Sequence, residues 1–415
     1  MKENITKVVK ALIVCILLIQ STRAQVHYQK LFSNLTEYQQ LARSSSDNSN
    51  VIASSIGNED GLDFSAIKID AQGKILWSKT FNSPGEDYLS SIAIAATGDV
   101  YLGGYKLNKD GHFDFSLMRL NASGNLKWYK TFETSASDIS VHVGVTSSGA
   151  VFLSGNIDSD TKKHIWILKI NDSGDILWSK LYGSSASNGN VNILAAAVTK
   201  DDGLAVLGIN GTRNYFMKMN TDGTIAFTKQ HDIVSEFEDA SSLKQVQDGF
   251  IFCGKIKDCT DELCTYIFAF MKLDPNGNVS WSKNVSRSKS QGVQYIGKGK
   301  KAVETADGGF AFIGQLTDSV TSKLAVIKTN ATGTILWTKA YGHADSYGEY
   351  AGIESTTDGG LLFLGTESSN AFLIKTDANG TTNCDMQVLT PEFGNESIPK
   401  SVNMNFTELN DLNVN

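Results

Sequence analysis

The chain repeats one short phrase seven times, and this repetition limits its possible folds more than any other feature. Each copy has an alternating apolar stretch, an Asp or Asn, a Gly three residues later and usually a Trp four residues after the Gly, as in IKIDAQGKILW at residues 67–77. The Asp or Asn positions are separated by 51, 50, 49, 54, 56 and 47 residues. A constant period of this size indicates a repeat architecture. These positions are Asp70, Asn121, Asn171, Asn220, Asp274, Asn330 and Asp377.

Each unit is expected to form four strands. The residues on both sides of the phrase's turn follow the two-residue rhythm of half-buried strands. Asp or Asn at the start of the turn can bond the backbone two residues on, and Gly tolerates the positive φ that closes it. A second hairpin lies between phrases and is marked by Asp-Gly-Gly in TADGGFAF (305–312) and TTDGGLLF (356–363). Helical periodicity is absent.

Seven such sheets predict an all-β, seven-bladed β-propeller of four-stranded antiparallel blades. The aromatic residue of each phrase falls on the outer strand, where a large ring can wedge between blades and bury ~150–250 Å². VHYQKLFSN (26–34) matches an outer strand, and Tyr28 lies 49 residues before Trp77. An N-terminal strand is therefore expected to close the ring and remove an open edge. The predicted blade-docking aromatics are Tyr28, Trp77, Trp128, Trp178, Phe227, Trp281 and Trp337.

The ends of the chain differ from the repeats. Residues 1–24 have the basic start, the apolar run ALIVCILLI and the small residue before the cut that are typical of a secretory signal peptide. Residues 26–384 form the predicted propeller, and the polar residues 385–415 are expected to be a mobile tail. The mature protein is expected to be extracellular, or periplasmic in a bacterium, with no stable membrane span.

Charge and cysteines narrow the partners and the chemistry. Removing the signal leaves 33 basic and 43 acidic residues, and this net charge near −10 argues against nucleic acid. Cys259 and Cys264 bracket a polar loop, so a local disulfide is expected, with a zinc site as the alternative. Cys253 lies in the apolar run FIFCG and is expected to be buried.

One face of the propeller is the predicted ligand face. The loops that enter each inner strand and the loops between second and third strands share this face, and they carry polar residues that could bind a glycan, a cation or a protein loop. An ordinary solvated rim is the alternative. Residues near the inner-strand starts are Glu37, Asp87, Asp138, Asn190, Glu238 and Glu349, and residues before third strands are Asp63, Asp114, Lys163, Arg213 and Lys323.

Two further sets of residues depart from simple repetition. A longer unit contains NVSRSKSQGVQYIGKGKK (284–301), which is interpreted as a basic binding loop or as a solvated one. Its basic residues are Arg287, Lys289, Lys298, Lys300 and Lys301. Sequons occur both in the repeat turns and elsewhere, and glycans on the turns would leave the opposite face free. The candidate sites are Asn34, Asn121, Asn171, Asn210, Asn278, Asn284, Asn330, Asn379, Asn395 and Asn405.

The repeats resemble those of secreted β-propeller proteins from bacteria and protists, with the pattern Lys-x-Asp/Asn-x-x-Gly-x-x-x-Trp over residues 27 to about 384. They are more remotely similar to the tryptophan-docking repeats of the quinoprotein dehydrogenases and their non-catalytic relatives. Those repeats run Ala-x-Asp-x-x-x-Gly-x-x-x-Trp, one residue longer in the turn than here. The resemblance implies the propeller fold. The shorter turn argues against pyrroloquinoline quinone, and no cofactor is expected.

The functional prediction is a secreted, non-catalytic binding module whose ligand is an extracellular glycan or protein. His-Glu-x-x-His and Gly-x-Ser-x-Gly are absent, so no catalytic or metal-binding residues are assigned. An extracellular carbohydrate-active hydrolase or a quinoprotein-like oxidoreductase on the same scaffold is the first alternative. A structural surface or matrix component is the second, and a monomer is expected.

Overall fold

The computed structural model shows a chain built from β-strands, and every regular element among its described residues is a strand. No helix in the described part of the chain has the length and apolarity that a membrane crossing requires. The predicted signal peptide and the Cys259–Cys264 pair lie outside the described residues. The structure describes residues 27–32, 35, 37–58, 61–83, 85–134, 137–159, 162–183, 191–211, 213–231, 237–258, 265–285, 296–317, 321–342, 352–367, 370–382, 386–391, 393–394, 401–403 and 407–409.

The strands form seven antiparallel sheets, which are the blades. Blade 1 contains β2 (Glu37–Arg43), β3 (Asn50–Asn58), β4 (Gly61–Ile69) and β5 (Ile75–Phe81). Blade 2 contains β6 (Asp87–Ile94), β7 (Val100–Leu107), β8 (Phe113–Leu120) and β9 (Leu126–Phe132). Blade 3 contains β10 (Ser137–Val145), β11 (Val151–Ser159), β12 (Lys162–Ile170) and β13 (Ile176–Gly183). Blade 4 contains β14 (Val191–Val198), β15 (Leu204–Asn210), β16 (Arg213–Met219) and β17 (Ile225–His231).

The remaining three blades repeat this plan. Blade 5 contains β18 (Phe237–Val246), β19 (Gly249–Asp258), β20 (Thr265–Leu273) and β21 (Val279–Val285). Blade 6 contains β22 (Ile296–Glu304), β23 (Phe310–Thr317), β24 (Ser322–Thr329) and β25 (Ile335–Tyr341). Blade 7 contains β26 (Gly352–Ser355), β27 (Leu361–Glu367), β28 (Asn370–Lys375) and, from the other end of the chain, β1 (Tyr28–Phe32).

The seven blades form a closed ring, as the repeat predicts. The first strand of each blade contacts the first strand of the next, and β26 of blade 7 contacts β2 of blade 1. In the sheet of blade 7, Tyr28 lies opposite Lys375 and Phe32 lies opposite Ala371. The fold is therefore a seven-bladed β-propeller whose last sheet joins strands from both ends of the described chain.

Apolar packing between blades supplies the core. The buried side chains fall into seven clusters, and each cluster joins two neighbouring blades. Between blades 5 and 6, for example, the rings of Phe270 and Phe312 are 4.4 Å apart at their centroids. Buried Cys253 belongs to the same cluster. One blade alone would leave both of its faces in water, so the stability of each sheet depends on its neighbours.

The repeated phrase builds the contact between successive blades. Trp281 of blade 5 lies over the turn of blade 6 and donates from Nε1 to the carbonyl oxygen of Ala331, at 3.3 Å. A Cβ added at Gly333 in that turn would lie 2.8 Å from the Trp281 ring. A Cβ added at Gly73 would likewise lie 2.7 Å from the Tyr28 ring. The phrase Gly therefore has two roles: it adopts positive φ, and its lack of a side chain makes room for the aromatic ring of the preceding blade.

A buried or half-buried cation on each third strand makes contacts within its blade or with the next blade. Lys328 is 3% exposed and donates to Asp307 at 2.9 Å. Asp307 lies in the turn between the first two strands of the same blade. Lys169 of blade 3 instead donates to the carbonyl oxygen of Thr221 in blade 4, at 2.8 Å. These contacts explain why a basic residue stands two positions before each phrase Asp or Asn. The equivalent pairs are Lys68–Asp47, Arg119–Asp99, Lys218–Asp201, Lys272–Asp248 and Lys375–Asp358.

The described C-terminal residues are paired with the blades, whereas the sequence predicts a mobile tail. They add short antiparallel strands, in chain order, to the outer edges of blades 6, 5, 4 and 3. Leu389 is 5% exposed and packs in the cluster between blades 5 and 6, where Phe393 contacts Phe270. Backbone pairing with unpaired outer edges holds a segment whose polar composition predicts no strand. The added strands are β29 (Met386–Val388), β30 (Phe393–Gly394), β31 (Ser401–Asn403) and β32 (Thr407–Leu409).

Candidate functional site

The site that we consider functional is a cavity of about 230 Å³ on the propeller axis, which we call the axial cavity. It is enclosed by the first strands of the seven blades. In six of these strands the pairing register shifts immediately before one residue, and that residue lines the cavity. A β-bulge re-aims a side chain in this way. The six bulge residues are Gln40, Ser91, His142, Ala195, Ser242 and Lys301.

Two serines at bulge positions connect neighbouring blades. Ser91 Oγ of blade 2 accepts a hydrogen bond from the Val143 backbone N–H of blade 3, at 2.7 Å. Ser242 Oγ of blade 5 accepts one from the Ala302 backbone N–H of blade 6, at 3.1 Å. A hydroxyl that accepts a hydrogen bond still has its own O–H to donate. Both serines line the axial cavity, so both can offer a donor to a ligand there.

Charged side chains from three blades meet in the axial cavity. Lys244 of blade 5 and Glu354 of blade 7 form an ion pair at 3.3 Å. Lys301 of blade 6 adds a second cation. Glu354 is the only carboxylate among the described residues that line the cavity. The lining of the axial cavity therefore contains two lysines and one carboxylate.

Burial shifts the protonation of the cavity groups. Desolvation lowers the pKa of His142 to about 3, and the charge of Lys301 acts in the same direction. His142 is therefore neutral at physiological pH, and its buried Nε2 has no hydrogen-bond partner among the described residues. Desolvation also lowers the pKa of Lys301, because burial disfavours the charged ammonium.

Three carboxylates of the predicted ligand face are buried structural groups. Asp87 is 0% exposed, Asp63 is 1% exposed and Asp114 is 2% exposed. The Ser83 backbone N–H donates to Asp63 at 3.0 Å, and Asn108 Nδ2 donates to Asp114 at 2.8 Å. Such groups join loops to strands, and the burial of their side chains differs from a solvated rim, while their predicted role in a ligand face stays a prediction.

Asp87 is the centre of a buried network between blades 1 and 2. The hydroxyls of Ser83 and Tyr129 donate to its two carboxylate oxygens, and Lys106 Nζ lies 3.8 Å from Oδ2. Burial raises the pKa of Asp87, although the two hydroxyl donors and Lys106 oppose the shift. Burial likewise raises the pKa of Tyr129, with the Asp87 charge acting in the same direction. This network joins the two blades from within.

The axial cavity is not lined by Arg213, Lys163 or Lys323 of the predicted face. Arg213 is exposed at the start of β16, Lys163 pairs with Asp158 at 3.2 Å, and Lys323 donates to Gln387 of the tail. Glu37, Asp138 and Glu238 lie near the beginnings of first strands. Asn190 and Glu349 lie outside the described residues, so their predicted role is untested.

The basic segment differs from its prediction as a loop. Lys298, Lys300 and Lys301 lie in β22, the first strand of blade 6. Only Lys301 lines the axial cavity, because the register shifts between Gly299 and Lys301. Arg287 and Lys289 lie outside the described residues. The three lysines are therefore divided by a bulge and do not form a common basic surface.

The sequons also differ in accessibility. Asn121, Asn171 and Asn330 are on exposed turns, where each Oδ1 accepts backbone hydrogen bonds that close the turn. Asn379 is exposed as well, and Asn278 is half-buried and donates to Asp274 at 2.9 Å. Asn210 and Asn284 are buried, at 8% and 9% exposure, and their glycosylation stays a prediction. Asn34, Asn395 and Asn405 lie outside the described residues.

Most residues of the axial cavity escaped sequence-based prediction. Gln40, Ser91, His142 and Ser242 lie inside first strands, whereas the predicted ligand face includes the loops before those strands. One signal was available: a polar residue interrupts the middle of several first-strand patterns, as in DYLSSIAI (87–94) and SDISVHVGV (137–145). Without the register of each bulge, the side of the strand on which that residue lies cannot be read from two-residue alternation.

Comparison with known proteins shows the fold. No protein-family model and no curated protein matches the sequence. The chain is similar to the polysaccharide lyase Uly1, with a TM-score of 0.52 and 10% identity over 82% of this chain and 90% of that chain. A structure of NanB with Optactamide has a TM-score of 0.46 and 13% identity over 87% of this chain and 71% of that one. A Bacteroides caccae protein of unknown function has a TM-score of 0.40 and 13% identity over 74% and 98%.

Fold and site together define the class of protein as a seven-bladed β-propeller with a polar axial cavity. At 10% identity the likeness to Uly1 shows the propeller architecture alone and transfers no activity. The resemblance to quinoprotein repeats stays a prediction from the sequence.

Proposed function

We propose that the protein is a secreted, non-catalytic binding module that takes part of an extracellular glycan or protein ligand into the axial cavity. The observation that carries this proposal is the set of bulge positions. Six blades aim one side chain each into the same space, and those side chains differ from blade to blade although the repeats around them are alike. A rigid ring with varied groups at its centre is typical of a ligand site.

The arrangement of carboxylates favours binding over glycoside hydrolysis. A hydrolase of the common type needs two carboxyl groups on either side of the bond, roughly 5–9.5 Å apart. Among the described lining residues the axial cavity has one, Glu354, and Lys244 neutralises it. Asp63 and Asp87, two carboxylates of the predicted ligand face, are buried.

Secretion is part of the proposal and is supported by the signal-like residues 1–24 and by the sequons on exposed turns. A protein that meets its ligand outside the cell has to stay folded without the reducing or chaperoning machinery of the cell. The closed ring favours this because the first and last blades have no open apolar face.

A combined binding and turnover assay tests the proposal. The full chain is applied to glycan and peptide arrays, and each ligand that binds is then incubated with the protein and analysed for products by mass spectrometry. We expect binding without conversion of the ligand. Binding should be weakened in His142→Ala and Gln40→Ala and kept in Thr80→Ala, a control on an exposed outer strand. Conversion of a ligand, absence of any binding, or binding that both cavity variants retain would overturn the proposal.

A further inference from the structure

A second cavity of about 230 Å³ lies where the ring closes, between blades 7 and 1, and we call it the seam cavity. Its walls come from the turn between the first two strands of each of these blades and from the turn between the last two strands of blade 1. It shares no lining residue with the axial cavity. Its polar lining includes Tyr28, Arg43, Asp47, Asn50, Asp358 and Lys375.

Asn50 is the first departure from the repeat in this cavity. It begins β3 and lies opposite Ile69 of β4. Asn50 is 2% exposed, and its Oδ1 has no hydrogen-bond partner among the described residues. A buried amide oxygen without a partner is costly, and the fold does not need one at this position. The equivalent position of the other six blades holds a buried apolar residue: Val100, Val151, Leu204, Phe250, Phe310 and Leu361.

Tyr28 is the second departure. It occupies the outer-strand position at which five other blades have Trp and one has Phe. Trp128, for example, donates from Nε1 to the carbonyl oxygen of Asp172 in the next blade, at 2.9 Å. The Tyr28 hydroxyl is buried and has no partner in the described part of the chain. Burial raises the pKa of Tyr28, and the charges of Asp70 and Asp358 act in the same direction, so the hydroxyl keeps its proton and can donate.

The corresponding groove between blades 2 and 3 provides a comparison. Its volume is about 210 Å³, and Arg119, which lines it, pairs with Asp99 at 2.7 Å. No residue of its lining has a buried polar side-chain atom that lacks a partner within the described ranges. The seam cavity therefore differs from this groove by its two unpaired polar groups, because the two volumes are nearly equal.

The charged groups of the seam cavity are equal in number. Arg43 and Lys375 are its cations, and Asp47 and Asp358 are its anions. Lys375 pairs with Asp358 at 2.8 Å, and Asp47 pairs with Lys68 at 2.8 Å. A charged ligand of either sign would be buried against a like charge, whereas a neutral group would not. This balance favours a neutral, polar ligand.

We propose that the seam cavity binds hydroxyl groups of a neutral sugar unit, with Asn50 Oδ1 as an acceptor and the Tyr28 hydroxyl as a second partner. A sugar hydroxyl both donates and accepts, so it can satisfy either group. The volume is below the ~300–1,000 Å³ of pockets that hold drug-sized ligands and agrees with one sugar unit. This site lies apart from the axial cavity and does not depend on the proposed function.

Calorimetric titration of the full chain with D-glucose, D-galactose and D-mannose tests the inference. At least one of them should bind, and about tenfold or more tightly than D-glucuronate or D-glucosamine, because a charged sugar would be buried against a like charge. Asn50→Leu restores the residue of blades 4 and 7 and should weaken binding about tenfold or more. Tyr28→Phe keeps the ring and should weaken binding about threefold or more. Tyr101→Phe removes a hydroxyl from the groove between blades 2 and 3 and should leave binding unchanged.

Four outcomes would overturn the inference. Failure of all three neutral sugars to bind would show that the seam cavity is a gap without a sugar ligand. Binding that Asn50→Leu retains, or that His142→Ala removes, would place the sugar elsewhere. Equal binding of a charged sugar would refute the neutral class. If Asn50→Leu misfolds, Asn50→Val, with the residue of blades 2 and 3, is used in its place.

Discussion

The docking of Trp281 on Gly333 makes a quantitative prediction about the turn glycines of blade 6. Gly333 and Gly308 have nearly the same backbone conformation, with φ of 80° and 75°. A Cβ added at Gly333 would lie 2.8 Å from the Trp281 ring, whereas a Cβ added at Gly308 would have no neighbouring atom within 4 Å. Alanine at either position adopts a left-handed conformation at a cost of about 1–2 kcal/mol, partly offset by about 0.4–1 kcal/mol from the stiffer unfolded chain.

Only Gly333→Ala adds steric overlap. Extra atoms in a well-packed contact cost about 1–3 kcal/mol, so Gly333→Ala should destabilise the protein by that much more than Gly308→Ala. Urea unfolding followed by circular dichroism and tryptophan fluorescence measures both variants. Trp281→Ala is then combined with each. The excess cost of Gly333→Ala should disappear in the Trp281→Ala background, because contacting residues are energetically coupled.

Two results would refute this reasoning. Equal costs for the two alanine variants would show that the ring moves aside freely and that the glycine serves the turn alone. An excess that persists without Trp281 would place its cause in the backbone of the turn. The hydrogen bond from Trp281 Nε1 to Ala331 is made with the same turn, so either result would also weaken its role in docking.

The remaining predictions concern the ion pairs, the buried acid and the tail. Burial alone would raise the pKa of Asp307, but hydrogen bonds from Thr305 and Lys328 lower it to about 2. Its stabilising effect is thus present above pH 4 and is lost as the pH falls towards 2, so thermal midpoints should separate Asp307→Asn from wild type at pH 6 and converge at pH 2. The effect of Asp87 on the pH dependence of stability has the opposite sign. Its raised pKa makes the folded state lose stability as the pH rises from 3.8. An unchanged stability–pH profile in Asp87→Asn would contradict the raised pKa. In the tail, Leu389→Ala should lower the free energy of unfolding in urea by about 2–5 kcal/mol, because Leu389 is buried. Val388 is 63% exposed, so Val388→Ala should change that free energy by less than about 0.5 kcal/mol. Equal costs would show that the tail does not pack on the blades.

The blades could be predicted from the sequence because the residues that make their contacts recur in every repeat. The alternating strands, the turn glycines and the outer-strand aromatics recur with one period, and each of these features depends on a local geometry that only a few residue types satisfy. The basic residue before each Asp or Asn was part of the same pattern, yet its partner was not apparent. That partner, such as Asp307 for Lys328, lies 21 residues earlier on another turn, and only the folded sheet brings the two together.

Other features could not be read because their cause is not local. The tail strand β30 is two residues long and pairs through the backbone, which carries almost no side-chain signal. Residues 284–301 were interpreted as a loop because their unit is longer than average, whereas residues 296–301, which include Gly297 and Gly299, belong to β22. In the structure these glycines lie in sites where a Cβ would be 2.1 Å from the Gln315 carbonyl oxygen and 2.5 Å from the Phe268 ring. Their close packing against neighbours, rather than turn formation, explains them.

The contrast between constant and variable positions connects the fold to the proposed function. Positions that dock one blade on the next are nearly constant, since each ring or glycine must fit its neighbour within a few tenths of an ångström. The bulge residues line the axial cavity, and they vary from Gln40 through His142 to Lys301. Variation without loss of packing is what a binding site requires. The ring can therefore keep its architecture while a few substitutions along its axis change the ligand that it accepts.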